Sequence, residues 1–221
     1  DYEAAGAVVR AGRDWLPHAC LDWFAVEDFV RLRDPNNGFS VVWTTPDAPL
    51  MELQDINTHK WLSALPIHNG RVYSYFMNNY WHTNYKAAQE GRFVFRYSIT
   101  SGANICNAAA AHFARPWSPQ VEESLAQLVA VNNPHVQVMA LKRADDGRGY
   151  VLRLREMDGT HGDATVTIGA LGHRTASAAP ANGIEWSCAR ENELRSTIED
   201  GKLRVHLHPY QIATWRVVPE E

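Results

Sequence analysis

The side chains best suited to chemistry in this chain are concentrated in one segment, residues 72–97. Two strand-like runs there flank residues 78–89, the polar loop, which is rich in amides and aromatic rings. Amides hydrogen bond to hydroxyl groups, and aromatic faces cover the apolar C–H patches of sugars. The segment therefore predicts recognition of a polyhydroxylated ligand; a buried structural loop and a loop that docks onto a neighbouring domain are the alternatives. The residues predicted to contact a sugar are Asn79, Trp81, Thr83 and Asn84 of the polar loop, together with Asp47.

We predict no catalytic residue in this chain. A glycosidase needs two carboxylates that face each other at a fixed separation, whereas the carboxylates here are scattered along the sequence. Asp47, between two prolines, and Glu156, after arginines on a predicted strand, are the best single candidates. A turn residue and a partner in a structural ion pair are the simpler interpretations of these two. The sequence contains no G-x-S-x-G elbow and no nucleotide-binding motif.

Two histidines, His206 and His208, lie two residues apart and so share one face of a predicted strand. Histidines placed in this way can bind a metal ion. Lys202 and Arg204 share the same face, however, and no carboxylate lies close in sequence. A solvated strand face is therefore the favoured interpretation, and we predict no metal ligand and no cofactor in this chain.

The composition is that of a globular protein. The chain has 221 residues, 45% of them hydrophobic and 21% charged, with a formal net charge of −4. These values indicate neither disorder nor a membrane span, and they give no bias toward nucleic acid. Three widely spaced cysteines without a C-x-x-C pair favour a reducing compartment, hence a cytoplasmic location. Because the sequence begins at Asp1 rather than at a methionine, we expect it to be a piece of a larger protein.

Short β runs with turn signals between them predict an all-β fold, a large antiparallel β-sandwich with one or two short helices. We expect a single domain over residues 1–221. The predicted hairpins join residues 29–33 to 39–45 and residues 136–143 to 150–157. Further predicted strands cover residues 93–99, 164–170, 202–210 and 214–218.

Helix is predicted mainly at residues 104–114, which carry four consecutive alanines. Residues 118–129 also fit a capped helix, since Ser118-Pro119 precedes spaced apolar residues. The competing interpretation, which we favour, makes residues 128–131 a strand that turns at Asn132-Asn133-Pro134.

Several motifs come in an order that resembles the C-terminal β region of bacterial glycoside hydrolase family 38, the α-mannosidases. The most specific is Asn-Asn-x-Trp-x-Thr-Asn within Met77-Asn-Asn-Tyr-Trp-His-Thr-Asn-Tyr85. The flanking pieces are Asp22-Trp-Phe-Ala-Val26, Thr45-Pro-Asp-Ala-Pro-Leu50, Gln89-Glu-Gly91, Phe95-Arg-Tyr97, Val151-Leu-Arg-Leu-Arg-Glu156 and Leu207-His-Pro-Tyr-Gln-Ile-Ala-Thr214. The resemblance spans nearly all of the chain.

The resemblance implies an accessory domain of a retaining α-mannosidase-like hydrolase. In such enzymes the zinc ion and the aspartate nucleophile belong to an N-terminal catalytic domain, and no stretch of this sequence matches their motifs. The implied partners are that catalytic domain, in the same parent chain, and mannose-containing glycans. The fragment alone is then expected to be inactive. Four tryptophans in loop-like surroundings are candidates for the apolar patch that would face the missing partner: Trp15, Trp23, Trp61 and Trp117.

An alternative function is a free-standing carbohydrate-binding module. In that case the loop around Trp81 would bind a glycan by itself, with the indole as an aromatic platform.

Overall fold

The computed structural model describes residues 1–77, 86, 88–112, 128–169, 174–187 and 194–220. The chain divides into two compact units. Unit 1 consists of Asp1–Ile105 and Ala110–Pro116, and unit 2 of Cys106–Ala109 and Trp117–Glu221. The expectation of a single sandwich domain over residues 1–221, cut from a larger hydrolase, stays a prediction.

Unit 1 contains two antiparallel sheets within its described residues. The five-stranded sheet has the order β2-β1-β4-β5-β8, and the three-stranded sheet has the order β3-β6-β7. The strands are β1 (Tyr2–Ala4), β2 (Ala7–Val9), β3 (Phe24–Ala25), β4 (Phe29–Arg33), β5 (Phe39–Thr44), β6 (Leu50–Leu53), β7 (Val72–Ser74) and β8 (Ser98–Ala103). Their apolar side chains meet in one core, whose buried members are Tyr2, Leu21, Phe24, Val26, Val30, Met51 and Leu53.

The first predicted hairpin is confirmed. Strands β4 and β5 pair antiparallel from Phe29↔Thr44 to Arg33↔Ser40. Asp34 accepts a hydrogen bond from Asn36 N (2.9 Å), and Gly38 closes the turn with a φ of 71°. Because a positive φ of this size strains a residue that has a Cβ, the glycine is the residue type that this turn favours.

In its described residues, unit 2 is a β-sandwich of two four-stranded antiparallel sheets, with the orders β10-β11-β16-β13 and β14-β15-β12-β9. Its strands are β9 (Ala130–Val131), β10 (Val136–Arg143), β11 (Tyr150–Glu156), β12 (Gly162–Thr167), β13 (Thr175–Ala181), β14 (Ser196–Glu199), β15 (Lys202–Leu207) and β16 (Ile212–Pro219). Both sheets contribute to one core, whose most buried members are Leu152, Leu154, Val166, Leu203, Leu207, Trp215 and Val217. The predicted all-β sandwich fold is therefore confirmed.

The helix prediction is confirmed in its centre, since α1 covers Asn107–His112. The helix begins at Asn107, which belongs to unit 2 and whose side-chain amide donates to the Met157 carbonyl of the same unit (2.6 Å). Residues 113–127 lie outside the described part of the chain. Strand β9 confirms only the last two residues of the favoured strand over residues 128–131 and pairs with β12, whereas Leu128 is helical.

The predicted strand over residues 93–99 is wrong for its first five residues, because β8 begins only at Ser98. Phe93 and Tyr97 are about two-fifths exposed and Ile99 is 74% exposed, so these residues do not form the buried face of a strand. The physical reason is that Arg96 N donates to the Asp47 carboxylate (2.8 Å) instead of to a neighbouring strand. A side-chain acceptor has replaced a ladder hydrogen bond.

Two further features concern the helices and the cysteines. No helix in the described ranges combines the length and the apolar character needed to cross a bilayer. Cys20 and Cys106 are free thiols, and Cys188 lies outside the described residues. The cytoplasmic location stays a prediction.

Candidate functional site

Asp47 is the one predicted sugar-contacting residue that the structure describes. Asn79, Trp81, Thr83 and Asn84 lie outside the described residues. The Asp47 carboxylate accepts from Arg96 Nε (2.8 Å) and Nη2 (2.7 Å) as well as from the Arg96 backbone N. These bonds hold the pKa of Asp47 down, at about 2, mainly through the guanidinium and then through the backbone amide. A carboxylate held in this way stays ionised at neutral pH and is unsuited to act as a general acid.

The pairing predicts a measurable titration. Replacing Arg96 with Gln removes the main cause of the low pKa, so the pKa of Asp47 is expected to rise from about 2 toward its ordinary 3.8. In the unaltered chain the pair stays intact at neutral pH and is lost only as the pH falls toward 2. The measurement is an NMR titration of the side-chain carboxyl carbons.

Asp55 provides the matched control for this titration. Its pKa is also lowered, by Lys60 rather than by Arg96, so it should be unchanged in the Arg96→Gln variant. An Asp47 that titrates near 3.8 in the unaltered chain would contradict the assignment.

Aromatic rings lie on the described segments before and after the polar loop. Phe76, just before the loop, packs against Phe95 just after it, with ring centroids 5.2 Å apart. Tyr97 stacks on Trp43 at 5.7 Å, and its hydroxyl shares a hydrogen bond of 2.9 Å with Ser74. Aromatic and hydroxyl groups therefore lie on the described residues that flank the loop.

A cleft of about 390 Å³ lies beside these rings in unit 1. Its walls offer aromatic faces, hydroxyls and one carboxylate, and they are formed by Glu52, Ile56, Thr58, His59, Tyr73, Ser74, Tyr75, Phe76 and Met77. The Glu52 carboxylate is buried and accepts from Asn57 N and from the Thr58 hydroxyl. It therefore shapes the cleft instead of standing free as an acid. We call this feature the aromatic cleft.

The tryptophans predicted to form an apolar patch are not equivalent. Trp61 is 75% exposed. Trp15, in contrast, stacks on Phe24 at 4.9 Å and donates from its indole to the Tyr2 hydroxyl (3.0 Å), so it belongs to the core of unit 1. Trp23 is half-buried, and Trp117 lies outside the described residues.

A cluster that the sequence did not reveal lies at one end of the unit 2 sandwich. His161, His206 and His208 place one nitrogen each within 4.8 Å of one another; we call them the histidine cluster. The Asp163 carboxylate is 2.7 Å from Nδ1 of His206. Only two of the three histidines were identified as a pair, because His161 comes from a loop 45 residues earlier in the chain. The missing signal was the pairing register of β12 with β15.

Glu156, the second carboxylate candidate, has a structural role. It is fully buried and accepts hydrogen bonds from backbone amides of two loops: Asp158, Gly159 and Thr160 in one, and Tyr210 in the other. The expected ion pair is thus replaced by hydrogen bonds to the backbone. Glu156 thereby fixes the loop before His161 and the loop after His208 to one point.

Comparison with known proteins supports the predicted resemblance. Residues 135–215 match the model of the family described as the glycosyl hydrolases family 38 C-terminal beta sandwich domain. The chain is also similar in structure to an alpha-mannosidase from Enterococcus faecalis V583, with a TM-score of 0.53 and 12% sequence identity. The similarity covers 97% of this chain but only 24% of that one, and at this identity it shows the fold alone. Comparison with curated proteins gave no match.

Proposed function

We propose that this chain is the accessory C-terminal β-sandwich region of a larger family 38 α-mannosidase-like hydrolase. The observation that carries the proposal is the match of residues 135–215 to the C-terminal sandwich of that family. These residues include most of the shared core of unit 2 and so cover a folded body rather than a short motif. The chain spans about a quarter of the length of the α-mannosidase that it resembles.

Both candidate carboxylates are engaged in structural hydrogen bonds, which supports an accessory role. Asp47 is engaged by Arg96, and Glu156 is buried among backbone amides. Neither is available as the nucleophile or the acid that glycoside hydrolysis requires. We therefore propose that the chemistry, with the family's zinc ion and aspartate nucleophile, is supplied by a catalytic domain elsewhere in the parent chain.

The contribution of this chain to the enzyme would be to support that domain and to line part of the sugar cleft. Residues Asn79, Trp81, Thr83 and Asn84 of the polar loop are proposed to contact mannose-containing glycans. The aromatic cleft beside the loop supports this, because ring faces and hydroxyls are the groups that bind sugars.

The test is an assay of the purified chain on an aryl α-mannoside with added zinc. We expect no turnover above the rate of a heat-denatured sample. Turnover that persists through repurification and is carried by this polypeptide would overturn the proposal. An upstream reading frame that encodes an H-x-D zinc motif would support it independently.

A carbohydrate-binding module is the second candidate, favoured by the exposed ring of Phe76 beside the aromatic cleft. Titration calorimetry with mannose oligosaccharides separates the two functions. A module should bind them by itself, whereas an accessory region should show almost no heat until its catalytic partner completes the site.

A further inference from the structure

The histidine cluster has the arrangement of a metal centre. The pairing register explains why it forms: Gly162 lies opposite Leu207 and Asp163 opposite His206. Continuing the register by one residue places His161 opposite His208. Because side chains alternate between the two faces of a sheet, these positions share the outward face. The core side of the same strands is filled by apolar residues such as Val166 and Leu207.

We infer that His161, His206 and His208 bind a single divalent transition ion of the zinc class. Three imidazoles are a ligand set used by catalytic zinc sites, which leave a fourth position open. The ring centroids are 5.4–5.6 Å apart, and the nitrogens within 4.8 Å need only small side-chain rotations to converge. Imidazole also suits copper and nickel, so the inferred specificity is for the class rather than for one element.

Asp163 supplies the second observation that points to a metal. Its carboxylate accepts from Nδ1–H of His206, which leaves Nε2 of that ring free to coordinate. A carboxylate behind a ligating histidine fixes the ring and makes its nitrogen more basic. No such contact was expected from the sequence, because Asp163 comes from β12 and His206 from β15.

The loop before His161 and the loop after His208 are held in place by contacts with each other and with Glu156. Gly159 has a φ of 71°, and a Cβ there would lie 2.5 Å from the ring of Tyr210, so only glycine allows the two loops to approach this closely. The side chain of Gln211 accepts from His208 N (2.8 Å), and Glu156 binds amides of both loops. A preorganised ligand set loses less freedom on binding an ion.

The neighbouring cations do not oppose the site as strongly as the sequence suggested. Arg204 pairs with Glu199 at 3.0 Å, and Lys202 lies opposite Glu199 in the β14–β15 register. This carboxylate compensates part of the positive charge on the outward face of β15. Asp163 adds a negative charge next to the ligands themselves.

The test is calorimetric titration of the chelator-treated 221-residue chain with Zn²⁺, with Co²⁺ as a second probe. We expect one ion per chain and, for Co²⁺, the intense visible absorption of a four-coordinate ion. His206→Ala and His161→Ala should each abolish the one-to-one binding. Asp163→Asn should weaken it about 10- to 100-fold, because the ring would lose its carboxylate partner.

His68→Gln is the matched control, since it removes an exposed histidine of unit 1 and should leave binding unchanged. Circular dichroism of each variant verifies that it folds, which the exposure of His161 and the outward position of His206 favour. Absence of stoichiometric binding by the unaltered chain would overturn the inference. Equal loss in the His68→Gln variant, or full affinity in both cluster variants, would overturn it too. The inference does not depend on the proposed function, because the readout is metal binding and not hydrolysis.

Discussion

Replacing Trp215 with alanine is expected to lower the free energy of unfolding of this chain by about 3–5 kcal/mol, the range for large aromatic residues removed from a core. Trp215 is fully buried in β16, at the centre of the core that both sheets of unit 2 share. Its removal leaves a cavity that the two sheets cannot close without shifting against each other. Urea denaturation followed by circular dichroism measures the loss.

Two controls make the Trp215 prediction specific. Trp186 also belongs to unit 2 but is 70% exposed, so Trp186→Ala should change the free energy of unfolding by no more than about 0.5 kcal/mol. Trp215→Phe keeps a ring in the core and removes an indole N–H for which no described residue acts as acceptor, so its cost should stay below about 2 kcal/mol. Equal losses for Trp186→Ala and Trp215→Ala would show that burial is not the cause.

Replacing Glu156 with alanine is expected to destabilise the chain by about 3 kcal/mol, because part-buried backbone donors lose a charged acceptor that water replaces only in part. Four backbone amides lose the carboxylate at once, from Asp158, Gly159, Thr160 and Tyr210. Hydrogen exchange of these amides should increase together. The measurement is urea denaturation combined with amide exchange by NMR.

Thr160→Val is the control for Glu156. It removes only the hydroxyl that donates to the carboxylate (3.2 Å), so the loss should be about 1 kcal/mol, with the amides still protected. If Glu156→Ala were no worse than Thr160→Val, the carboxylate would not be the anchor of the two loops.

Hairpins and strand alternation were predictable because the relevant forces act locally. The β4–β5 and β10–β11 hairpins follow from turn residues between apolar runs. Alternation alone does not predict that Arg155, on the face of β11 opposite Leu152 and Leu154, is only 2% exposed. Strand β11 lies inside its sheet, between β10 and β16, and the sequence of the strand does not record what covers its two faces.

In the candidate sites, too, contacts between residues distant in sequence could not be predicted. Asp47 was identified from its turn, but its partner Arg96 lies 49 residues away in the sequence. The hydrogen bonds between Arg96 and Asp47 take the place of the strand pairing that was predicted for residues 93–97. His206 and His208 were identified as a pair because they are neighbours in sequence. His161 and Asp163 join them only through the register of two strands, which depends on the pairing of the whole sheet.

Side chains alternate between the two faces of β12 and β15, so the residues that maintain the fold are different from those that would bind the metal. Inward positions such as Val166 and Leu203 are constrained by packing in the core, whereas Asp163 and His206 lie on the outward face of the same strands. An imidazole can therefore be gained or lost on that surface by single substitutions at little thermodynamic penalty. Among relatives that keep this sandwich fold, the ability to bind a metal ion at this position should therefore vary independently of the fold.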